Sequence, residues 1–148
     1  MNITGKIAIE NPTQEVIEMD QELFPNAWDT SQWKKLDPNL NHLFTWRMGE
    51  ELKGFALLGT VLGDDVAHLY KIVIAQSDRG SGISQEFWAQ IINQLVPLGF
   101  RRVYLEVEGG NSRAINFYLK LGFKTLRKVK GFYSNGSDAL IMELTLIV

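Results

Sequence analysis

Hydrophobic and polar residues follow two kinds of pattern along the chain. Strict alternation is typical of half-buried strands, and apolar residues that recur every three or four positions are typical of helices with one buried face. In chain order these patterns predict a strand at Lys6 to Glu10, a helix from Thr13 to Pro25, a short helix within Asn26 to Asp37, and strands at Leu43 to Met48, Lys53 to Leu62 and Val66 to Ala75. Turn candidates at Gly49-Glu50 and Gly63-Asp64-Asp65 separate the last three strands, which predicts an antiparallel meander.

Helical and strand patterns then alternate to the end of the chain. A helix is predicted after Gly80-Ser81-Gly82, with Ile83, Phe87, Ile91 and Leu95 on its buried face and an end near Pro97 and Gly99. The remaining predictions are a strand at Arg102 to Val107, a helix from Asn111 to Gly122 that buries Ala114, Ile115, Tyr118 and Leu121, and strands at about Phe123 to Lys130 and Ala139 to Ile147. This order predicts an α+β fold of three layers, in which a mixed, mostly antiparallel central sheet has helices on both faces.

The size and charge of the chain narrow the range of functions. Its 148 residues fit a single domain spanning 1–148, and 45% apolar with 22% charged residues is the balance of a soluble globular protein. The formal charge is −2 and the basic residues are scattered apart from the run Arg127, Lys128, Lys130, so nucleic-acid binding is not expected. No stretch approaches the roughly 18 apolar residues that a membrane span needs, so we expect no membrane association and a cytoplasmic location.

The absence of cysteine and the presence of only two histidines restrict the chemistry. Disulfides, thiolate zinc sites and cysteine nucleophiles are excluded. His42 and His68 lie far apart in the sequence and near no carboxylate pair at metal-ligand spacing, so no metal site is expected. Each histidine is expected to cap a strand or to face solvent.

The segment from Ile72 to Gln85 is the most informative part of the sequence. A strand runs into a turn containing Gly80 and Gly82, and an amphipathic helix follows. Free backbone N–H groups and the positive end of the helix dipole meet there, which favours a phosphate group. The glycines let the main chain approach an anion, and Arg79 can add a charge-assisted hydrogen bond. Glycines also occupy such turns for conformational reasons alone, so these observations by themselves leave both interpretations open.

This turn fits neither the Walker loop, which needs Gly-Lys-Ser/Thr, nor the dinucleotide fingerprint, which needs a third glycine. It resembles the signature Gln/Arg-x-x-Gly-x-Gly/Ala of the GCN5-related N-acetyltransferase (GNAT) superfamily, with Ser84 at the last position. The resemblance implies the GNAT fold and acetyl-CoA as the cofactor. The residues that it implies for cofactor binding are Arg79, Gly80, Ser81, Gly82, Ile83, Ser84 and Gln85, together with the backbone of Ile72, Val73 and Ile74.

A second stretch, Asn111 to Phe123, resembles the family motif Asn-x-x-Ala-x-x-x-Tyr-x-x-x-Gly-Phe. The resemblance implies that Asn111 contacts the cofactor and that Tyr118 lies near its sulfur. Four further segments, Glu22-Leu23-Phe24-Pro25, Leu105-Glu106-Val107, Phe132-Tyr133 and Ile141-Met142, resemble the bacterial enzymes that acetylate the N-terminal alanine of a ribosomal protein, and this likeness spans most of the chain. It departs from their pattern at Phe132, where those enzymes usually have tyrosine, and at Gly109-Gly110 before the motif.

The implied reaction needs a neutral amine, a polarised thioester and an exit for the thiolate. Glu106 is the candidate base, acting directly or through water, and its alternative role is a solvent-facing carboxylate paired to Arg101 or Arg102. Tyr118 is the candidate hydrogen-bond donor to the departing sulfur, and its alternative role is a core tyrosine. Tyr133, in the loop before the last strand, is the candidate residue for binding the acceptor. Because cysteine is absent, direct transfer from acetyl-CoA to the amine is expected.

Several functions remain open at this point. The main hypothesis is an N-acetyltransferase whose acceptor is a protein N-terminal α-amine. The alternatives are a small-amine or lysine acetyltransferase and a non-catalytic acyl-CoA-binding module, which would not need both Glu106 and Tyr118. The expected partners are acetyl-CoA and the amine acceptor, in a monomer or a homodimer. Phe24, Trp28 and Trp33 either line the acceptor groove or belong to the core.

Overall fold

One sheet organises the chain, and a computed structural model describes residues 5–24, 27–75 and 82–146 of it. The strands are β1 (Lys6–Ile9), β2 (Asn41–Met48), β3 (Glu51–Gly59), β4 (Val66–Ile74), β5 (Arg102–Glu108), β6 (Lys124–Val129) and β7 (Ala139–Thr145). The helices are α1 (Gln14–Leu23), α2 (Thr30–Lys34), α3 (Ile83–Leu95), which continues into a 3₁₀ turn at Val96–Leu98, and α4 (Ser112–Lys120). In space the strands follow the order β1-β2-β3-β4-β5-β7-β6.

The pairing of the strands confirms the predicted mixed sheet. β4 and β5 run parallel, whereas β1 with β2, β2 with β3, β3 with β4, β5 with β7 and β6 with β7 are antiparallel. The predicted meander of β2, β3 and β4 is therefore present. Its second strand ends at Gly59 rather than at Leu62, because Val61 and Leu62 lie in a turn, 68% and 81% exposed, that the Asp64 N–H closes on the Val61 carbonyl.

Side-chain caps fix the start of three helices. Thr13 accepts a hydrogen bond from the Val16 N–H at the start of α1, as predicted. Asp29 caps α2 and forms a capping box with Gln32. Asn111 accepts from the Ala114 N–H at the start of α4. These bonds satisfy N–H groups that the first helical turn leaves without a partner.

Helices cover both faces of the sheet, as predicted, and each face has its own cluster of buried side chains. On one face the α1/α2 cluster comprises Val16, Ile17, Trp33, Leu43, Leu52, Phe55, Leu57 and Val73. On the other face the α3/α4 cluster includes Leu58, Leu69, Phe87, Trp88, Ile91 and Leu105, with the α4 side chains Ala114, Ile115, Tyr118 and Leu121 packed against it. Within the described ranges, no helix is long and apolar enough to cross a bilayer.

A β-bulge at Tyr70 changes the phase of β4. Leu58 pairs with Leu69 and Leu57 pairs with Lys71, so Tyr70 is the extra residue on β4. Because side chains alternate between faces, one extra residue exchanges the two faces for the rest of the strand. Leu69 therefore belongs to the α3/α4 cluster, and so does Ile72, three positions later.

A buried ion pair joins α1 to β4 just after the bulge. The Lys71 Nζ lies 2.9 and 3.1 Å from the two carboxylate oxygens of Asp20, and their side chains are 2% and 0% exposed. Asp20 also accepts hydrogen bonds from the Trp28 backbone N–H and the Trp33 indole N–H. The ammonium lies 4.2 Å from the centre of the Phe24 ring, within cation–π range. Burial lowers the pKa of Lys71, and the hydrogen bond and charge of Asp20 oppose that shift.

The sheet ends at β6, where most side chains are exposed. Thr125 pairs with Met142 and Arg127 pairs with Ile141, so Leu126 is the extra residue of a bulge on this edge. Lys124, Arg127 and Lys128 add positive charge along the strand.

We predict that replacing Lys71 with Met destabilises the fold by about 3–5 kcal/mol, because the buried carboxylate of Asp20 loses its countercharge. Adding Asp20→Asn should recover part of that loss, since a neutral amide still accepts from the Trp28 N–H. Urea unfolding followed by circular dichroism measures both effects. The control is Lys34→Met on the exposed side of α2, and an equal loss in this variant would contradict the role of the ion pair.

Candidate active site

The site is a cleft between the two parallel strands. β4 and β5 pair at Val66 with Arg102, Ala67 with Val103 and His68 with Tyr104. Both strands are described over their full length, and neither makes a further pair with the other beyond His68 and Tyr104, although β4 continues to Ile74 and β5 to Glu108. The two strands therefore separate from that point onward. The segment Ile72, Val73 and Ile74, predicted to bind the cofactor through its backbone, belongs to the separated part of β4.

The start of α3 is the predicted anion-binding end of the site. Gly82 is the N-cap, with a φ of 83° and no side-chain cap, so the first N–H groups of the helix have no side-chain acceptor at the N-cap. A Cβ built on Gly82 meets nothing within 4 Å. Ile83, Ser84 and Gln85 form the first turn of the helix, and Ser84 donates a long hydrogen bond of 3.5 Å to Gln85. The other predicted residues of this loop, Arg79, Gly80 and Ser81, lie outside the described residues.

Asn111 lies at the start of α4, which follows β5 after a tight turn. Its side-chain oxygen accepts from the Ala114 N–H at 3.1 Å, so this oxygen is already used as a helix cap. The side-chain NH₂ group is the part of Asn111 that can donate to a ligand. The helix-capping role was not predicted, and it orients the amide relative to the first turn of α4.

Glu106 pairs with a histidine, and this corrects two sequence-based interpretations. The Glu106 Oε2 lies 2.5 Å from the His68 Nε2, and the two side chains are 22% and 20% exposed. His68 was expected to cap a strand or face solvent, but it is mostly buried against β5. The sequence also suggested that Glu106 pairs with Arg101 or Arg102. Instead, the Arg101 Nε lies 3.9 Å from the Asp65 Oδ2, and the Arg102 guanidinium lies 3.7 Å from the Glu143 Oε2.

Tyr118 approaches this region from the opposite face of the sheet. Its ring packs edge-on against Phe117 and Phe123, with centroid distances of 5.5 and 5.9 Å. Burial, and then the neighbouring Tyr133, raise the pKa of Tyr118 to about 12. The hydroxyl therefore stays protonated at physiological pH and is a hydrogen-bond donor. Given an ordinary thiol pKa of about 8.5, complete proton transfer to a thiolate would be uphill by roughly 5 kcal/mol.

Tyr133 is held in its loop by backbone hydrogen bonds. Its N–H donates to the Ser137 carbonyl and its own carbonyl accepts from the Gly136 N–H. The loop is joined to the end of β5, because the Gly109 N–H donates to the Asp138 carbonyl at 2.9 Å. Burial raises the pKa of Tyr133, and the negative charges of Glu106 and Glu108 raise it further. The loop thus brings Tyr133 within electrostatic range of both Glu106 and Tyr118.

Three features of the site were not predicted from the sequence. The His68 ring lies between Tyr70 and Tyr104, with both centroids 4.3 Å away, and it stacks on Tyr104 at an interplanar angle of 17°. Tyr70 is 41% exposed at the bulge and its ring covers Gly59, where a Cβ would approach the ring to 2.2 Å. Burial and the Glu106 charge raise the pKa of Tyr104. The one available signal was the run His68, Leu69, Tyr70, which places two polar aromatic residues on a strand whose other residues, except Lys71, are apolar.

The three aromatic residues near α2 have different roles. Trp33 is 1% exposed and belongs to the α1/α2 cluster, so the core interpretation is correct for it. Trp28 is partly buried and its ring lies 6.4 Å from that of Tyr70, so it extends the aromatic row toward α2. Phe24 packs against the core cluster and contacts Lys71.

A family model identifies the class of protein that this fold and cleft define. The model of the acetyltransferase (GNAT) family matches residues 9–123, which is well over half of the chain. The chain therefore belongs to the acetyltransferase (GNAT) family, and the predicted fold is confirmed.

Individual relatives share moderate similarity with the chain. The N-alpha-acetyltransferase of Sulfurisphaera tokodaii is 34% identical over 80 residues, which is 53% of this chain and 48% of that protein. The [ribosomal protein bS18]-alanine N-acetyltransferase of Escherichia coli K12 is 27% identical over 133 residues, covering 88% of this chain and 87% of that protein. The chain spans only about half the length of the N-alpha-acetyltransferases that it matches.

Solved structures show the same fold. The crystal structure of the Escherichia coli ribosomal-protein-S18-alanine N-acetyltransferase has a TM-score of 0.79 at 22% identity, covering 97% of this chain and 96% of that one. A Bacillus subtilis acetyltransferase in complex with CoA has a TM-score of 0.77 at 16% identity, covering 97% and 100%. At these identities the likeness shows the fold alone.

The pKa of Tyr118 predicts a pH dependence of stability. Folding raises this pKa from 10.0 to about 12, so the protonated hydroxyl adds to the free energy of unfolding. This stabilisation is complete below pH 10 and is lost as the pH rises through 12. Tyr118→Phe should therefore lose less free energy of unfolding between pH 9 and pH 12 than the parent, by about 1–2 kcal/mol after allowance for partial exposure. Urea unfolding at a series of pH values measures the difference. Parallel pH curves for the two proteins would contradict it.

Proposed function

We propose that this chain is an acetyl-CoA-dependent N-acetyltransferase that transfers acetyl directly to a protein N-terminal α-amine. The observation that carries the proposal is the cleft between β4 and β5: Glu106 lies on one face of the sheet, within electrostatic range of Tyr133, and the helices α3 and α4, with Tyr118, cover the opposite face. A helix N-terminus favours phosphates, and a carboxylate beside tyrosine hydroxyls suits an amine and a leaving thiolate. Acyl transfer needs the phosphate-binding groups and the reacting groups within one cleft.

The cofactor is proposed to lie along the separated part of β4 and to reach the start of α3. The residues proposed to hold it are the backbone of Ile72, Val73 and Ile74, the loop and first helical turn from Arg79 to Gln85, and the side-chain NH₂ of Asn111. An amide-containing chain can hydrogen-bond to the backbone of an extended strand in the way that a neighbouring strand does. Acetyl-CoA supplies the activated acetyl group when bound.

Glu106 is proposed to take the proton that the acceptor ammonium must lose before it can attack. The N–H bond breaks and the proton moves to the carboxylate, directly or through one water. Tyr118 donates a hydrogen bond to the sulfur as the carbon–sulfur bond breaks, and its high pKa keeps the donor in place throughout the physiological range. The amine nitrogen forms the new bond to the acetyl carbon and gives up its second proton to solvent, and the thiolate takes one proton from solvent.

The acceptor class follows from the modest strength of this base. A peptide α-amine has an ordinary pKa of about 7.7 to 8.0, whereas lysine is near 10.4, so deprotonating lysine costs roughly 3 kcal/mol more. Glu106 and the exposed Glu108 lie on the same face of β5 and attract an ammonium group. The two relatives described above are named as an N-alpha-acetyltransferase and a [ribosomal protein bS18]-alanine N-acetyltransferase, which agrees with this choice.

The acceptor class is tested with purified chain, acetyl-CoA and a panel of amines. We expect turnover with peptides that have a free N-terminus, including alanine-first peptides. The same peptides with a blocked N-terminus and an internal lysine, and small polyamines, should give little or no turnover. Turnover of the polyamines alone would overturn the proposed acceptor, and absence of turnover with every amine would overturn the proposed activity.

The roles of the site residues are tested by Glu106→Gln, which should lower kcat by about 10²- to 10⁴-fold while leaving acetyl-CoA affinity unchanged. The matched control is Glu143→Gln, another partly buried carboxylate on the adjacent β7, whose partner is Arg102. Steady-state kinetics and calorimetry measure the two quantities. A Glu106→Gln variant with full kcat would remove the proposed base.

The cofactor site is tested by Gly82→Ala, with Gly63→Ala as a matched control. Both glycines have a φ of 83° and open space where a Cβ would project, so the backbone strain of the two substitutions is comparable. Only Gly82 lies at the start of α3, where an added methyl would obstruct the phosphates. We expect acetyl-CoA affinity to fall at least about tenfold in Gly82→Ala alone, a loss of about 1.4 kcal/mol. Equal affinity in the two variants would contradict the proposed phosphate site.

A further inference from the structure

His68 occupies the point where the cleft opens. It is part of the last pair between β4 and β5, and beyond it the strands diverge. Its ring is held between Tyr70, on its own strand, and Tyr104, its partner on β5. On the β3 side it pairs with Gly59, a position that has no side chain to displace the Tyr70 ring. The imidazole is therefore stacked on the Tyr104 ring, and the Tyr70 ring, tilted by 48°, packs beside it.

The edge of that ring points at the proposed base. The His68 Nε2 lies 2.5 Å from the Glu106 Oε2, a short contact between two mostly buried side chains. An ionised carboxylate only accepts hydrogen bonds, so the Nε2 carries the hydrogen and donates it. One carboxylate oxygen is thereby occupied, and the Oε1 is the oxygen available to the acceptor amine.

We propose that His68 is a positioning residue for the acyl-transfer step: it fixes the Glu106 carboxylate so that Oε1 faces the acceptor amine. This inference rests on the proposed function. In the step, the N–H bond of the acceptor ammonium breaks and an O–H bond forms at Oε1, while the His68 N–H remains hydrogen-bonded to Oε2. The proton then leaves Oε1 for solvent. His68 itself neither gains nor loses a proton.

The energetic reason is the flexibility of a glutamate side chain. An unheld Glu side chain has three rotatable bonds, and fixing them in one geometry costs conformational entropy. A misplacement of about 1 Å in a reacting group can lower the rate by about 10²-fold. Because His68 holds the carboxylate before the substrate binds, the entropy cost of fixing Glu106 is not added to the activation barrier of each turnover. The titratable neighbours of the pair are Tyr70 and Tyr104, whose rings contact His68, and Tyr133, whose pKa the Glu106 charge raises.

The test is a double-mutant cycle with a peptide acceptor. We expect His68→Leu to lower kcat by about 10- to 100-fold with acetyl-CoA affinity unchanged, and His68→Gln, which keeps an N–H donor, to recover part of the loss. Because the two residues act as a unit, Glu106→Gln with His68→Leu should be no slower than Glu106→Gln alone. The matched control is His42→Leu, the same change at the only other histidine, which lies on β2 beside Phe100 and should leave kcat unchanged.

The outcomes separate this inference from the proposed function. If the parent protein turns over peptides but the effects of His68→Leu and Glu106→Gln multiply, His68 acts only through the general structure and the inference is wrong. If His68→Leu has the kcat of the parent, the inference is also wrong. If the parent protein acetylates no amine at all, the proposed function fails before the cycle is measured.

Discussion

The parallel pairing of β4 and β5 stops at His68 and Tyr104, and the candidate site depends on that interruption. Each strand keeps its order past this point because its other edge remains paired: β4 pairs with β3 as far as Ile74, and β5 pairs with β7 as far as Glu108. The sheet can therefore open without unfolding. Because both sides of the opening are hydrogen-bonded strands of the sheet, the groups along it are held more rigidly than they would be on loops.

The bulge at Tyr70 determines which side chains face this opening. Without the extra residue, the side chains of β4 would keep one alternation throughout, and Lys71 would point into the apolar α3/α4 cluster. With it, Lys71 points toward Asp20 and Ile72 fills the opposite core. The bulge thus joins two requirements in one place: it seats the ion pair that fixes α1 and the Trp28 region, and it leaves Tyr70 partly exposed beside His68. Stability and site geometry are linked at this residue.

Local signals in the sequence were enough to predict most of the architecture. The helical spacing of Phe87, Ile91 and Leu95 and the cap at Thr13 depend only on neighbouring residues, and both are present in the structure. The glycine turn before α3 is also a local signal, and Gly82 is the N-cap of that helix in the structure. The end of β3 was placed too late because Val61 and Leu62 are apolar, and nothing local shows that an apolar pair lies exposed in a turn.

The pairing of His68 with Glu106 was beyond the reach of such signals. The two residues are 38 positions apart, and their contact depends on the register of two parallel strands joined through α3. That register cannot be predicted from a local residue pattern. The bulge adds to the difficulty, because it changes the face on which the later β4 side chains lie. Glu106 was singled out because the implied chemistry needs a base, whereas no such argument pointed to the histidine beside it.

The outer edge of β6 has a consequence for the behaviour of the protein at high concentration. An unpaired strand edge offers N–H and C=O groups on which another chain can add a strand. Here Leu126 interrupts the regular hydrogen-bonding row, and Lys124, Arg127 and Lys128 would place like charges against an identical strand. Two copies meeting edge to edge would face both a broken register and electrostatic repulsion, so this border of the sheet resists aggregation.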